Sequence, residues 1–202
     1  MKKQNTKLRR EQIKKAALEI IVYEGIGKLS TRNLAAKVGI SEGAIFRHFK
    51  TKQDIILSII EDVKENMLGA MKLAANVKNP ADRRLFNMMC AQVKYILNNQ
   101  GVNILLFSEA VHYDDSVLKK ELKKILDEQK KLLTGVIKDG VKEGIFDKNT
   151  NIEDASMFYL GIPITLNIEL VLNRSKLNTE SFCKRMLSLF FRVLGGRNSY
   201  EF

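Results

Sequence analysis

The stretch GISEGAIFRHFKTK, residues 39–52, separates two helical patterns and decides the fold of the first third of the chain. Gly39 is typical of a residue that ends a helix, and Ser41 is a favourable N-cap for the next one. In that next helix Ile45 and Phe49 are four positions apart, so both can pack inward from one face. The outer face then carries small and hydrogen-bonding residues: Gly43, Ala44, Arg47 and His48.

Amphipathic helices are predicted on both sides of this stretch. A first helix ends at Gly25, Ser30 caps a short helix over residues 31–38, and another helix begins at Thr51 or Lys52. Their inward faces are predicted to consist of Ile13, Ala16, Ala17, Ile20 and Ile21, of Leu34, Ala35 and Val38, and of Ile55, Ile56, Ile59 and Ile60. Two short helices joined by a tight turn and braced by a longer one form a helix-turn-helix, whose second helix enters the DNA major groove.

Positive charge is concentrated in the same part of the chain. The formal net charge is +11, and residues 1–60 hold 13 of the 34 basic and 5 of the 23 acidic side chains. A uniformly solvated surface would not concentrate its charge in this way, so the asymmetry favours a nucleic-acid-binding module joined to a nearly neutral domain. Lys50 and Lys52 follow the second helix, where they can contact phosphates.

An ordered set of motifs runs through this head. It consists of Thr31–Arg32–Asn33–Leu34–Ala35, then Gly39–Ile40–Ser41–x–Gly43–x–Ile45–Phe46–x–His48–Phe49–x–x–Lys52, with Ile13–x–x–Ala16–Ala17 and Gly25 upstream. Residues 9–60 thereby resemble the DNA-binding domain of the TetR family of bacterial transcriptional regulators. Carried over by position, the resemblance implies phosphate or base contacts from Ser30, Thr31, Ser41, Gly43, Ala44, Phe46, Arg47, His48 and Lys52, and Glu42 is included in the predicted DNA-contacting set.

Three of these positions depart from the pattern of the family. Glu42 stands where Lys is common, Ala44 where Thr or Ser is common, and Phe46 where Tyr is usual. Glu42 can accept a hydrogen bond from a cytosine amino group or favour the helix N-terminus electrostatically. Phe46 lacks the hydroxyl that could bind phosphate, so packing or contact with a thymine methyl group is expected. Arg47 and His48 are the main predicted contacts, although either could be a solvated or structural side chain.

The rest of the chain is predicted to be helical, which makes the protein all-α with about nine helices. Predicted helices run from Lys52 to about Ala75, from the Asn79–Pro80 cap to Asn98, over 102–112, from Asp114 or Asp115 onward, over 151–172 with a bend near Pro163, and over 179–194. We divide the chain into a DNA-binding domain, residues 7–60, and a ligand-binding and dimerisation domain, residues 61–202.

The last predicted helix is apolar around most of its circumference. One helix at the edge of a protein cannot bury such a surface against its own chain, so a homodimer interface is predicted there. Its expected members are Phe182, Met186, Leu189, Phe190 and Val193. The family resemblance implies the same interface, formed by the last two helices of each subunit. Two recognition helices related by a two-fold axis would bind a roughly palindromic operator.

A small-molecule pocket is predicted in the second domain. Met67, Met71, Met88, Phe107 and Phe158 can form an adaptable apolar wall, and the polar residues Glu109, His112 and Asn167 can orient a ligand. Ordinary core packing, surface exposure or an interface position explains each of these residues equally well.

The preferred function is a cytoplasmic homodimeric repressor, released from double-stranded DNA by a small apolar or amphipathic effector. The alternative is an architectural DNA-binding protein that responds to no effector. An enzyme is not expected, because His48, His112, Cys90 and Cys183 lack an accompanying nucleotide, triad or metal-ligand motif. No cofactor or metal is predicted, and the two cysteines are expected to be reduced thiols. The N-terminus lacks the apolar segment of a signal peptide, and the longest uncharged run, residues 155–168, is too short to span a bilayer.

Overall fold

The computed structural model describes residues 2–112, 116–173 and 177–195, without the side chains of residues 2–5, 102, 109 and 112. Every regular element in these ranges is helical, which confirms the predicted all-α class. The elements are α1 Lys2–Tyr23, a 3-10 turn Ile26–Lys28, α2 Thr31–Val38, α3 Glu42–His48, α4 Lys52–Asp62, a π-helical segment Val63–Leu68, α5 Gly69–Asn76, α6 Ala81–Asn98, α7 Val102–His112, α8 Ser116–Lys142, α9 Ile152–Asn173 and α10 Thr179–Val193. Counting residues 52–76 as one helix gives nine helices in the described ranges.

Two details of the helices differ from the sequence predictions. The helix predicted to run unbroken from Lys52 contains the π-helical segment Val63–Leu68, which periodicity does not distinguish from α-helix. Helix α6 has Pro80 rather than Asn79 at its N-cap, and its first amide, Ala81 N–H, donates to a carboxylate oxygen of Glu143 at 2.9 Å. The predicted cap of α8 at Asp114 or Asp115 lies outside the described residues.

The chain divides into two compact units. The first comprises residues 1–63 and 102–122, and the second comprises residues 64–101 and 123–202. Helix α7 therefore belongs to the first unit, where it packs on α1, whereas the division at residue 60 assigns it to the second domain. Contacts between elements distant in sequence, rather than chain order, place α7 in this unit.

The first unit is built around α1, which packs on α2, α3, α4 and α7. The predicted apolar faces of α1 and α4 are buried, and so are Leu34 and Ala35 of α2, whereas Val38 is only partly buried. Lys14 lies in this core with its ammonium 2.6 Å from a carboxylate oxygen of Asp62 and 2.9 Å from Glu11. A buried ammonium needs such partners, so this ion pair ties α1 to the end of α4.

The second unit is built around α6, which packs on α5, α9 and α10. Its inward face includes Leu85, Met88, Met89 and Val93, all fully buried. The hydroxyl of the buried Tyr159 on α9 donates to the carbonyl of Leu85 at 2.9 Å, which satisfies the one polar group of that side chain.

Helix α9 continues through Pro163, which lies inside it. By length and composition this helix is apolar enough to cross a membrane, although its longest uncharged run is short. Length and composition are weak evidence for a membrane span, because the core helix of a soluble protein can be equally long and apolar. In α9, 44% of the most apolar 18-residue segment is buried inside the protein.

Candidate nucleic-acid interface

The turn between α2 and α3 has the geometry that its sequence predicts. Gly39 has a φ of 73°, the left-handed conformation that favours glycine, and its amide donates to the carbonyl of Ala35 at 2.9 Å. The hydroxyl of Ser41 accepts a hydrogen bond from the amide of Ala44 at 3.2 Å. Gly39 therefore ends α2 and Ser41 caps the start of α3, so that the two helices are joined by a tight turn.

The inner face of α3 is buried as predicted, with Ile45 at 0% and Phe49 at 3% exposure. On the other face Gly43 and Arg47 are exposed, as is Phe46, whose ring is 43% exposed. An exposed aromatic ring beside an arginine and a glycine offers apolar contact, hydrogen-bond donors and close backbone approach on one surface. We refer to the exposed residues Glu42, Gly43, Phe46 and Arg47 as the α3 outer face.

His48 differs from this outer face because it is only partly exposed. Its Nδ1 atom is buried and has no hydrogen-bonding partner among the described residues. Desolvation lowers the pKa of His48, and the nearby positive charges of Arg10, Arg9 and Arg47 lower it further. Both effects favour the neutral imidazole, in which one ring nitrogen donates and the other accepts.

Arg10 holds the end of α3, a role that the sequence reasoning missed. Its guanidinium donates to the carbonyl of His48 and lies 3.9 Å from the centroid of the Phe49 ring. A hydrogen bond to a carbonyl at a helix end, combined with a cation–π contact, stabilises the position of that helix. The available signal was weak: Arg10 is one of several basic residues near the N-terminus.

Glu42 has a partner that neither of its two predicted roles included. Its carboxylate accepts a hydrogen bond from the hydroxyl of Thr31 at 2.8 Å, so it links the first turn of α3 to the first turn of α2. It also lies in the first turn of α3, where a negative charge is favourable. Thr31 and Glu42, two predicted DNA-contacting residues, are thereby brought together.

The remaining predicted contacts lie at helix starts beside α3. Ser30 caps α2 by accepting from the amide of Asn33 at 3.1 Å. Thr51 and Asp54 form a reciprocal capping box at the start of α4, with hydrogen bonds of 2.9 and 3.0 Å. Lys50, just before this box, is exposed, and Lys52, in the first turn of α4, is partly buried.

The predicted effector-binding residues differ in burial. Met67, Met71, Met88 and Asn167 are buried in the second unit, whereas the rings of Phe107 and Phe158 are about half exposed. The side chains of Glu109 and His112 lie outside the described residues. A described cleft of about 520 Å³ includes Phe158 but none of the other predicted residues. The effector pocket therefore stays a prediction.

The predicted dimer residues differ in burial within the single chain. Phe190 has 0% exposure and packs edge-on against Tyr159, with ring centroids 5.6 Å apart, so its own chain already buries it. The outward face of α10 instead carries Leu189 and Val193, which are 53% and 69% exposed, while Phe182 and Met186 are partly buried. The composition of an apolar helix does not show which of its faces packs against the core.

Helix α9 carries exposed apolar side chains that the sequence reasoning missed. Met157, Ile164, Ile168 and Leu172 recur at separations of seven and four residues, the spacing of one helical face, and each is at least 42% exposed. That spacing was readable from the sequence but was obscured because almost every neighbouring position is also apolar. We call these four residues, with Leu189 and Val193, the α9/α10 apolar surface.

A family model of known proteins matches the head of the chain. A family profile described as bacterial regulatory proteins, tetR family, matches residues 13–59. Among curated proteins, nucleoid occlusion factor SlmA of Actinobacillus pleuropneumoniae serotype 5b (strain L20) is 26% identical over 128 residues, which is 63% of this chain and 63% of the relative. The similarity thus spans just under two thirds of the length of that relative.

Solved structures extend the likeness of fold to nearly the whole chain. A bacterial regulatory protein in the tetR family from Rhodococcus RHA1 is 24% identical, with a TM-score of 0.77, covering 93% of this chain and 97% of that one. The transcriptional regulator FadR from Bacillus subtilis, in complex with stearoyl-CoA, is 20% identical, with a TM-score of 0.74 and coverage of 90% and 97%. Both are described as regulators. The tetR-family model thus matches the head of this chain, and the fold of nearly the whole chain is similar to that of solved tetR-family regulators.

Proposed function

We propose that this protein is a homodimeric, sequence-specific DNA-binding transcriptional regulator of the cytoplasm, a repressor that a small effector releases from its operator. The observation that carries the proposal is the α3 outer face, displayed on a helix that is capped at Ser41 and anchored by Ile45 and Phe49. The family match covers this same helix.

Base contacts and phosphate contacts are assigned to different residues. Arg47 and Phe46 are exposed at the centre of the α3 outer face and are the proposed contacts to base edges and to thymine methyl groups. Lys50 and the hydroxyl-bearing caps Ser30 and Ser41 are exposed around it and are the proposed phosphate contacts. This division predicts that loss of Arg47 reduces sequence selectivity, whereas loss of Lys50 weakens binding to all sequences.

A dimer explains how a seven-residue helix selects a unique site. Two copies of α3 related by a two-fold axis would contact half-sites about 34–36 Å apart on a roughly palindromic operator. The α9/α10 apolar surface supports this assembly, because exposed apolar residues at helical spacing are typical of a surface that another chain covers. An effector that changes the separation of the two α3 helices would release the DNA.

The effector is proposed to be apolar or amphipathic. The buried Met67, Met71 and Met88 provide adaptable apolar surface in the second unit. The likeness of fold to FadR, solved with stearoyl-CoA, makes a long-chain acyl thioester a suitable first probe.

The test is footprinting and fluorescence anisotropy on the DNA upstream of the protein's own coding sequence, with a random duplex of equal length beside it. We expect the wild type to prefer the upstream DNA by at least about 1000-fold. The Arg47→Ala variant should lose about 1–3 kcal/mol of discrimination at one base position in each half-site. The matched control is Lys142→Ala, an exposed lysine at the end of α8, which should bind like the wild type.

Equal affinity of the wild type for upstream and random DNA would refute sequence-specific regulation. In the same assay, stearoyl-CoA is titrated into the operator complex, followed by a panel of shorter acyl-CoA and steroid probes. Release of DNA by one of these probes at constant salt is the expected result.

A DNA-binding protein without effector release is a second candidate. The observation that favours it is the similarity to a relative named for nucleoid occlusion rather than for transcription. DNA affinity that stays constant across the probe panel, together with binding sites spread along the chromosome instead of one at a promoter, would select this candidate over the repressor.

A further inference from the structure

Two side chains of α1, one helical turn apart, reach the ends of two other helices in the first unit. Arg10 donates to the carbonyl of His48, the last residue of α3, and Lys14 donates to Asp62, the last residue of α4. Positions four apart lie on the same side of a helix, about 6 Å from each other along its axis. The C-terminal ends of α3 and α4 are thereby attached to a single turn of α1.

The attachment to α4 is a buried ion pair. Lys14 is buried, and its ammonium lies 2.7 and 2.6 Å from the two carboxylate oxygens of Asp62. A second carboxylate, that of Glu11 at 2.9 Å, belongs to an exposed residue of α1 itself and adds no link between helices. Burial alone lowers the pKa of Lys14, but the hydrogen bonds to Asp62 and Glu11 outweigh burial and raise the pKa, so the ammonium stays charged. Because a buried charge that loses its partner is strongly destabilising, α1 is expected to follow a displacement of Asp62.

The attachment to α3 combines a hydrogen bond with a ring contact. The guanidinium of Arg10 donates to the His48 carbonyl and lies 3.9 Å from the centroid of the Phe49 ring. Phe49 is the C-cap residue of α3 and is buried. Carbonyls in the last turn of a helix have no partner inside the helix, so Arg10 supplies one from outside. Arg47 of the α3 outer face directly precedes His48, and a displacement of Arg10 therefore changes the backbone next to it.

The chain that follows Asp62 has an unusual backbone. The π-helical segment Val63–Leu68 begins at the next residue. Single π-helical turns inside α-helices are rare and frequently occur at functional sites. A π-helical turn contains one more residue between hydrogen-bonded groups than an α-helical turn, so conversion between the two would displace the residues beside it. Asp62 is directly at this boundary, and Lys14 is the side chain that would carry its displacement to α1.

We propose that Lys14 and Arg10 are positioning residues for DNA recognition, which make the sequence selectivity of α3 depend on the position of the C-terminal end of α4. A displacement of Asp62 moves Lys14, one turn of α1 transmits it, and Arg10 changes the end of α3. Neither Lys14 nor Arg10 has to touch DNA for this effect. The inference rests on the proposed function, because it requires that α3 binds an operator.

A double-mutant cycle on the full-length protein tests this coupling. Lys14→Met and Arg10→Met each remove a charged group and keep most of the side-chain volume, and a third variant combines them. The readout is the ratio of the affinities for the upstream DNA and for a random duplex at constant salt, so that a loss of general electrostatic attraction cancels. Each single substitution should lower this ratio by roughly 3-fold to 30-fold. Because both act through the end of α3, the double variant should resemble the stronger single variant rather than show the product of the two effects.

The matched control is Lys15→Met, because Lys15 is the exposed neighbour of Lys14 on α1 and carries the same charge. Its affinity ratio should equal that of the wild type. A second readout needs no DNA: the full sequence contains two histidines, so His48 can be followed by NMR in protein that carries isotope-labelled histidine. Lys14→Met should shift the His48 signal through α1, whereas Lys15→Met should leave it in place.

Two results would overturn the inference while the wild type remains selective for its upstream DNA. One is an unchanged affinity ratio in Lys14→Met, and the other is a double variant whose loss equals the product of the two single losses. A wild type without any preference would instead refute the proposed function, and the His48 signal of Lys14→Met would then decide whether the ends of α4 and α3 are coupled. Should Lys14→Met fail to fold, Asp62→Asn weakens the same ion pair from a partly exposed position and should change both readouts in the same direction.

Discussion

At the scale of single residues, the α3 helix depends on side chains outside it. Arg10 from α1 satisfies a carbonyl at the end of α3 and stacks on Phe49, while Thr31 from α2 donates to Glu42 at the start of α3. A helix of seven residues is too short to be stable alone in water. Its two ends are therefore held by residues of the two helices before it, which makes the orientation of the α3 outer face a tertiary property.

His48 gives the stability of the head a pH dependence. Desolvation and neighbouring arginines lower its pKa in the folded state below the ordinary value of 6.5, so the unfolded chain binds the proton more readily. The stability that neutral His48 contributes to the folded head is fully present above the pKa of the unfolded chain. It is lost as the pH falls through the lowered pKa of the folded state. Urea unfolding between about pH 7 and pH 5 should show the free energy of unfolding decreasing, with a smaller decrease in His48→Gln. If the free energy of unfolding changed equally with pH in the wild type and in His48→Gln, the pH dependence would not come from His48.

Glu42 is expected to lower DNA affinity while it stabilises the head. Replacing it with Gln removes a negative charge from the α3 outer face, so affinity for random duplex at low salt should rise by about threefold to tenfold. Glu42→Gln should lower the free energy of unfolding by less than about 1 kcal/mol, because the hydrogen bond that Glu42 accepts from Thr31 is exposed. Thr31→Val removes the same hydrogen bond and keeps the charge, so it should lose stability without gaining affinity. A gain in both variants would exclude the charge effect.

At the scale of secondary structure, three consecutive helices start with a hydroxyl N-cap. Ser30, Ser41 and Thr51 each accept a hydrogen bond from the amide three residues later. These caps satisfy amides that have no partner inside the helix, and they stop each helix where the next turn must begin. Because capping is local in sequence, the starts of α2, α3 and α4 could be predicted from residue type.

Removal of the central cap should destabilise the recognition helix. Ser41→Ala leaves the Ala44 amide without its side-chain acceptor and should lower the free energy of unfolding by about 1 kcal/mol, with weaker operator binding because α3 frays. Ser108→Ala, at an exposed position within α7, is the matched control and should be neutral or slightly stabilising. Chemical denaturation of both variants measures the difference, and an equal change in the two would show that the cap is not important.

At the scale of the whole molecule, the α9/α10 apolar surface gathers six of the exposed apolar side chains on two helices of the second unit. Helix α9 buries Tyr159 and Leu160 in the second unit while it exposes Met157 and Leu172. A helix that is apolar on both sides can pack one face on its own core, and we expect the other face to meet the second chain of the proposed dimer. The same holds for α10, where Phe190 is inside and Val193 is outside.

Charge placed on this surface should dissociate the proposed dimer. Leu189→Glu would bury an unpaired carboxylate in the interface, which costs at least about 3 kcal/mol and weakens association more than about 100-fold. Leu73→Glu, at a 75% exposed position on α5, is the control and should leave the mass in solution unchanged. Sedimentation equilibrium with circular dichroism checks both variants. A Leu189→Glu variant that remains dimeric would exclude α10 from the interface.

The sequence by itself determined the helical class, the order of the helices and the buried faces of the first sixty residues. These properties depend on interactions within a few residues: apolar spacing, hydroxyl caps and the left-handed Gly39. The face of α3 opposite Ile45 and Phe49 could be identified for the same reason, since burial of one face of a helix leaves the other for a ligand.

Only the tertiary structure decided which residues distant in sequence meet. It placed Arg10 on Phe49, joined Thr31 to Glu42 and packed Phe190 against Tyr159. Periodicity specifies the direction of a side chain around its own helix axis but carries no information on which helix lies opposite. In α9 and α10 apolar residues occupy most positions, so packing against the core decides which face is buried and which stays exposed.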